Sequence, residues 1–147
     1  MKIKLLIITM CFGFTTMVAQ EVTDDMVEIF FEKFKNEGST VALDYVYSTN
    51  KWVSQSSDDV ISLKNQMNNL TEDFVGKYYG YELILEKHLS DSYILKSYLV
   101  KYGRQPLRFT FQFYKPDKEW RFHGFSFDGN LTEEIKEAAK LYNYRLN

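Results

Sequence analysis

The stretch PLRFTFQFYKPDKEWRFHGFSFD, Pro106 to Asp128, reads as two long strands joined by a tight turn. Leu107, Phe109, Phe111 and Phe113 alternate with Arg108, Thr110, Gln112 and Tyr114, the period-two pattern of a strand with one buried face. Lys115 to Lys118 supplies the turn, since Pro116 presets its own φ and the Asp117 side chain can bond the local backbone. A four-residue loop there sets Tyr114 opposite Glu119, Phe113 opposite Trp120 and Phe111 opposite Phe122, which puts the large aromatics on one side. Straight alternation would then turn Phe125 and Phe127 to the other side. An extra residue around His123-Gly124 would bring them back, and glycine in a strand often marks such a bulge. A bulge bends a sheet, so strong curvature is expected here.

Two further turns extend the same layer toward the N-terminus. A turn at Gly103 to Pro106 sets Tyr102 opposite Leu107 and places Tyr98, Val100 and Tyr102 on the aromatic side. A turn centred on Ser90 and Asp91 adds Tyr81, Leu83 and Leu85 to it. Three separate turn assignments thus agree on one aromatic face.

Upstream of Gly76 the periodicity is helical. Met26, Val27, Phe30, Phe31 and Phe34 follow Thr23-Asp24-Asp25, in which Thr23 reads as the N-cap and the aspartates suit the positive end of the helix dipole; Gly38 reads as the left-handed stop. Ala42, Leu43, Val46 and Tyr47 form the stripe of a second helix. Trp52 follows in a polar loop and reads as a lid over the helix ends. Ser56 to Asp59 caps a third helix through Leu70, and Gly76 and Gly80 mark the change of direction into the sheet. After Asp128, Asn130 and Glu133 can cap a closing helix with Ile135, Ala138, Ala139 and Leu141 along one face. The expected class is α+β: N-terminal helices packed on a curved four-stranded antiparallel sheet, with a C-terminal helix.

The chain has 147 residues, which fits one domain. Residues 1–19 read as an export signal, with basic Lys2 and Lys4, an apolar run from Leu5 to Phe14 and small Ala19 before the cut; 20–147 is then the domain. That run is too short for a permanent membrane anchor. The single cysteine, Cys11, lies inside it, so the mature chain would hold no thiol, disulfide or thiolate metal site. Acidic residues exceed basic ones by two in the whole chain, and by four once Lys2 and Lys4 are removed. No basic block offsets this, which argues against a nucleic-acid partner.

Helices followed by a curved four-stranded antiparallel sheet resemble the nuclear transport factor 2-like group, and cystatin-like folds more broadly. The resemblance rests on Phe30-Phe31 and Phe34 in the opening helix, on Gly76-Lys77-Tyr78-Tyr79-Gly80-Tyr81 leading into the sheet, and on Trp120, Phe122 and Phe127 in the last strand. The texture is similar to the secreted bacterial members of unassigned function. The resemblance implies a pocket between helices and sheet, used by some members for isomerase or hydrolase chemistry and by many only for binding or dimerising. Catalytic members similar to ketosteroid isomerase set a carboxylic acid beside a tyrosine in that pocket. The candidate pocket residues here are Tyr47, Trp52, Tyr81, Lys96, Tyr98, Tyr102 and Trp120, with no Asp or Glu expected on that face and hence no buried general base.

The other chemistry-bearing residues have simpler readings. His88 and His123 lack partners at metal-ligand spacing and read as surface histidines. Asp128-Gly129-Asn130 with Glu133 lacks the repeat of a calcium loop, and helix capping explains it. No glycine-rich phosphate loop occurs. No metal or other cofactor is expected. The outer sheet face mixes Ile84, Leu95 and Leu99 with Arg108, Thr110, Gln112 and Arg121, a texture suited to a homodimer formed through it. Three functional classes stay open: an exported non-catalytic module binding a small apolar ligand or a protein, a small enzyme using the same pocket, or a structural dimerisation protein.

Overall fold

A computed structural model of the chain describes residues 14–145. Four helices come first: α1 (Phe14–Asn36), α2 (Ser39–Ser48), α3 (Asp58–Asn68) and the single turn α4 (Glu72–Val75). Four strands follow, β1 (Tyr78–Ser90), β2 (Tyr93–Tyr102), β3 (Leu107–Tyr114) and β4 (Arg121–Asp128), and α5 (Leu131–Arg145) closes the chain. The strands form one curved antiparallel sheet in the order β1-β2-β3-β4, so the protein is α+β. Of the export segment read at 1–19, residues 1–13 lie outside the described residues, and the helical backbone runs unbroken from Phe14 across Ala19. Thr23 is therefore not an N-cap. It lies inside α1, fully buried, and the aspartate after it faces a partner other than the helix dipole.

The faces follow the aromatic alternation, while the registers slip by two residues. β3 and β4 are joined by six residues rather than four, and Phe113 lies opposite Phe122. β2 meets β3 with Val100 opposite Leu107 and Tyr98 opposite Phe109. A slip of two preserves every side-chain face, because the strand period is two. The expected bulge at His123-Gly124 is present: Gln112 pairs with Gly124 and Phe113 with Phe122, leaving His123 as the extra residue. Phe125 and Phe127 accordingly point to the aromatic side, where Phe125 lies 5.1 Å from Phe111 between ring centroids.

α1 covers this face and fills it. Val27, Phe30 and Phe31 on one stripe of the helix are buried against Phe109 and Phe111, with Phe30 edge-on to Phe111 at 5.0 Å. These contacts are dense ring packing, which exploits both apolar area and edge-to-face geometry. α2 adds Ala42, Leu43 and Val46, all fully buried, and Tyr47, whose ring meets Phe122 at 4.9 Å. The end of α2 also fastens the β4 edge. Asn50 Nδ2 donates to the Phe122 carbonyl at 2.9 Å, and the Phe122 N–H donates to Thr49 Oγ1 at 3.2 Å. At Gly76, φ is +87°, and a Cβ would stand 2.6 Å from the Arg104 backbone nitrogen, so this junction of α4 and β1 accepts only glycine without a shift of the β2–β3 loop.

Candidate functional site

The seam where α1 runs beside β1 and β2 holds the polar chemistry of the molecule. Its centre is Lys96, which is fully buried on the helix-facing side of β2. Its ammonium donates to the Asp24 carboxylate on α1 and lies 3.4 Å from the Glu86 carboxylate on β1. His88 Nε2 is 2.8 Å from the other Glu86 oxygen. A buried cation without carboxylates would be costly, and these two acids make it tolerable.

Glu86 reaches this place through a bulge that polarity does not announce. Leu83 lies opposite Tyr98, Leu85 opposite Ser97, and Ile84 is the extra residue between them. Beyond Ile84 the faces exchange. Leu85 turns outward, against expectation, and Glu86 turns inward opposite Lys96. The interior face thus does hold an acid. Burial alone would push the Glu86 carboxyl up, but the hydrogen bond with His88 and then the attraction and hydrogen bond of Lys96 outweigh it and hold it below the ordinary value of 4.5. A depressed folded value stabilises the protein above the unfolded carboxylate range and gives that stability up as pH falls through the folded value. Urea unfolding followed from neutral pH downward should therefore show Glu86→Gln weaker than the parent at neutral pH, with the gap closing below about pH 4. A gap that stays constant with pH would contradict this role.

Toward the other end of the seam a groove of about 600 Å³ opens between α1 and the start of β1. Phe31, Tyr78, Tyr79 and Tyr81 wall it, with Glu28 and Glu32 among the polar groups at its rim. Tyr81 stacks on Phe31 at 3.7 Å with nearly parallel rings, which fixes the groove floor. Burial and then the neighbouring Tyr81 push the Tyr78 phenol up to about 12. A smaller hollow of about 300 Å³ lies where Phe34, Ser39, Asn68 and Glu72 meet Tyr78 and Tyr102. The Tyr102 hydroxyl is buried there and has no hydrogen-bond partner among the described residues. Replacing it by Phe should leave stability unchanged or raise it by up to about 1 kcal/mol in thermal unfolding, since an unmade bond is removed. A clear loss would reveal a partner for the hydroxyl.

The seven candidate pocket residues are therefore dispersed. Tyr81 lines the larger groove and Tyr102 the smaller hollow. Tyr47, Lys96, Tyr98 and Trp120 are parts of the packed interior. Trp120 keeps its place although it lies outside the strand, with Lys115 Nζ 5.2 Å from its ring centroid. Trp52 is no lid: it is 75% exposed and has Lys51 over its ring. Sequence reasoning missed Asp24, Glu86, Tyr78 and Tyr79. Asp24 could have been found from its spacing of three and seven residues before Val27 and Phe31, which puts it on the sheet-facing stripe.

On the outer face, Leu95 and Leu99 are half-buried within the chain. The polar groups there largely satisfy one another: Ser97 with Thr110 at 3.1 Å, Tyr93 donating to Gln112 at 2.8 Å, and Arg108 donating to Asp128 and to Glu134 of α5. Arg121 lies opposite Tyr114. Ile84 is about half exposed, but it belongs to the β1 bulge at the sheet edge. His123 is exposed and flanked by the Tyr93 and Tyr114 rings. Asp128 is engaged by Arg108 and by the Asn130 backbone N–H. Among the described residues no cluster of His, Cys, Asp or Glu could hold a metal ion, and no helix is long and apolar enough to cross a membrane. Compared with known proteins, the chain matches no family model, no curated protein and no solved structure.

Proposed function

We propose that this is an exported, non-catalytic binding module of nuclear transport factor 2-like or cystatin-like kind, which takes a small apolar ligand in the groove between α1 and β1. The observation that supports it is the groove itself, walled by Phe31 and three tyrosines. Aromatic walls with a few polar groups at the rim are the usual make-up of small-molecule sites. Export rests on the basic, apolar and small-residue order of residues 1–19. The test uses the neutral fluorophore phenylnaphthylamine with the purified chain, alongside native mass spectrometry for a retained ligand. Binding that weakens roughly tenfold in Tyr79→Ser, a substitution at an exposed groove wall, is the expected result. Absent binding, or binding indifferent to Tyr79, would overturn the reading.

One observation favours an enzyme as the second reading, namely the Glu86–His88 pair beside buried Lys96. It ranks second because a general base near neutral pH needs a raised carboxyl pKa, whereas that of Glu86 is lowered and its oxygens are engaged by Lys96 and His88.

A further inference from the structure

The two edges of the sheet are finished differently. At β4 the N–H and C=O of Phe122 are taken up by Thr49 and Asn50. β1 is the longer edge strand, pairs among the described residues only with β2, and exposes Leu83, Ile84, Leu85 and Leu89, the last at 82%. A long apolar edge is a ready template for another strand, and soluble proteins ordinarily block it.

We infer that the β1 edge is a self-association surface on which β1 of a second copy pairs antiparallel about a two-fold axis near Ile84-Leu85. The pattern of the strand selects this occupant. The bulge at Ile84 adds one residue, so Tyr81, Glu82 and Leu83 before it share faces with His88, Lys87 and Glu86 after it. Antiparallel pairing about that point sets each residue against one of its own face: Tyr81 against the partner's His88, Glu82 against the partner's Lys87. Glu82 and Lys87 both lie on the outer face, opposite Leu99 and Leu95 of β2. The two-fold axis makes this ion pair twice, as an isologous contact must. Ile84 and Leu85 meet the partner's Leu85 and Ile84 at the centre, removing these exposed side chains from water, while Leu83 is set against the partner's Glu86. Registers centred on Glu82 or Glu86 would set like charges directly opposite each other.

This inference stands apart from the ligand reading and is tested without any ligand. Sedimentation equilibrium of the purified chain up to millimolar concentration should show a monomer–dimer equilibrium. Lys87→Glu, which faces Glu82 of the second copy, should weaken dimerisation roughly tenfold or more, and Glu82→Lys added to it should restore affinity. Ile84→Lys, at a half-exposed position, should abolish the dimer while circular dichroism stays unchanged. A wild-type chain that remains monomeric would overturn the inference. So would a dimer indifferent to Ile84→Lys and to the charge exchange, which would place the contact on another surface.

Discussion

Replacing Lys96 by Met should cost about 3 kcal/mol of unfolding free energy, measured by urea titration at neutral pH. Methionine keeps most of the apolar stem, so the loss reads out the charge. Without the ammonium, Glu86 is left mostly buried with only His88 beside it, and a lone acid in the interior is much dearer than a paired one. Asp24 contributes less, because its side chain is 48% exposed and water screens it. The triple variant Lys96→Met, Glu86→Gln, Asp24→Asn should regain much of the loss, since no buried charge then lacks a partner. If Lys96→Met unfolds within about 0.5 kcal/mol of the parent, the cluster has no energetic role.

Phe111→Ala should cost about 4 kcal/mol, close to the upper end for a core ring. Phe111 is fully buried, and its ring lies near those of Phe30, Tyr98, Phe122 and Phe125, contributed by α1 and by the strands β2 and β4 on either side of it. Such a site cannot collapse without moving α1, so the cavity term adds to the lost transfer energy. The exposed Trp52→Ala offers the contrast and should change stability by less than about 0.5 kcal/mol. Equal losses from the two would mean that the aromatic layer is not the core.

The aromatic layer was legible because Leu107 to Phe113 alternates without exception and neighbouring turns reinforce it. Two of the three loop estimates were off by an even number of residues, which shifted partners and left faces intact. The bulge at Gly124 was also legible, since aromatic spacing breaks phase there and glycine marks the break. The Ile84 bulge carried no such mark. Leu83-Ile84-Leu85 is apolar throughout, so an added residue changes no polarity pattern and the faces exchange silently. The mark lay across the sheet: Lys96 on the interior face of its own strand required a carboxylate, and Glu86 was one residue from reach. The start of α1 was misplaced for a related reason. Thr23-Asp24-Asp25 has the chemistry of a helix cap, yet Thr23 and Asp24 are used sideways, one buried and the other toward Lys96.

The dispersal of the candidate pocket residues also has a physical cause. Rings that share a sheet face leave a cavity only if the helix above stands off, and Phe30 and Phe31 fill that space. The larger groove described above lies at the margin of this layer, between α1 and Tyr78 to Tyr81.

All of this depends on α1 lying across the sheet so that Asp24 meets Lys96, groups 72 residues apart in the chain. A double-mutant cycle with Asp24→Asn, Lys96→Met and the pair, read by urea unfolding, measures that contact directly. A coupling of about 1 kcal/mol is expected, allowing for the half-exposed aspartate. Losses that add to within about 0.3 kcal/mol would contradict the placement of the helix and, with it, the groove.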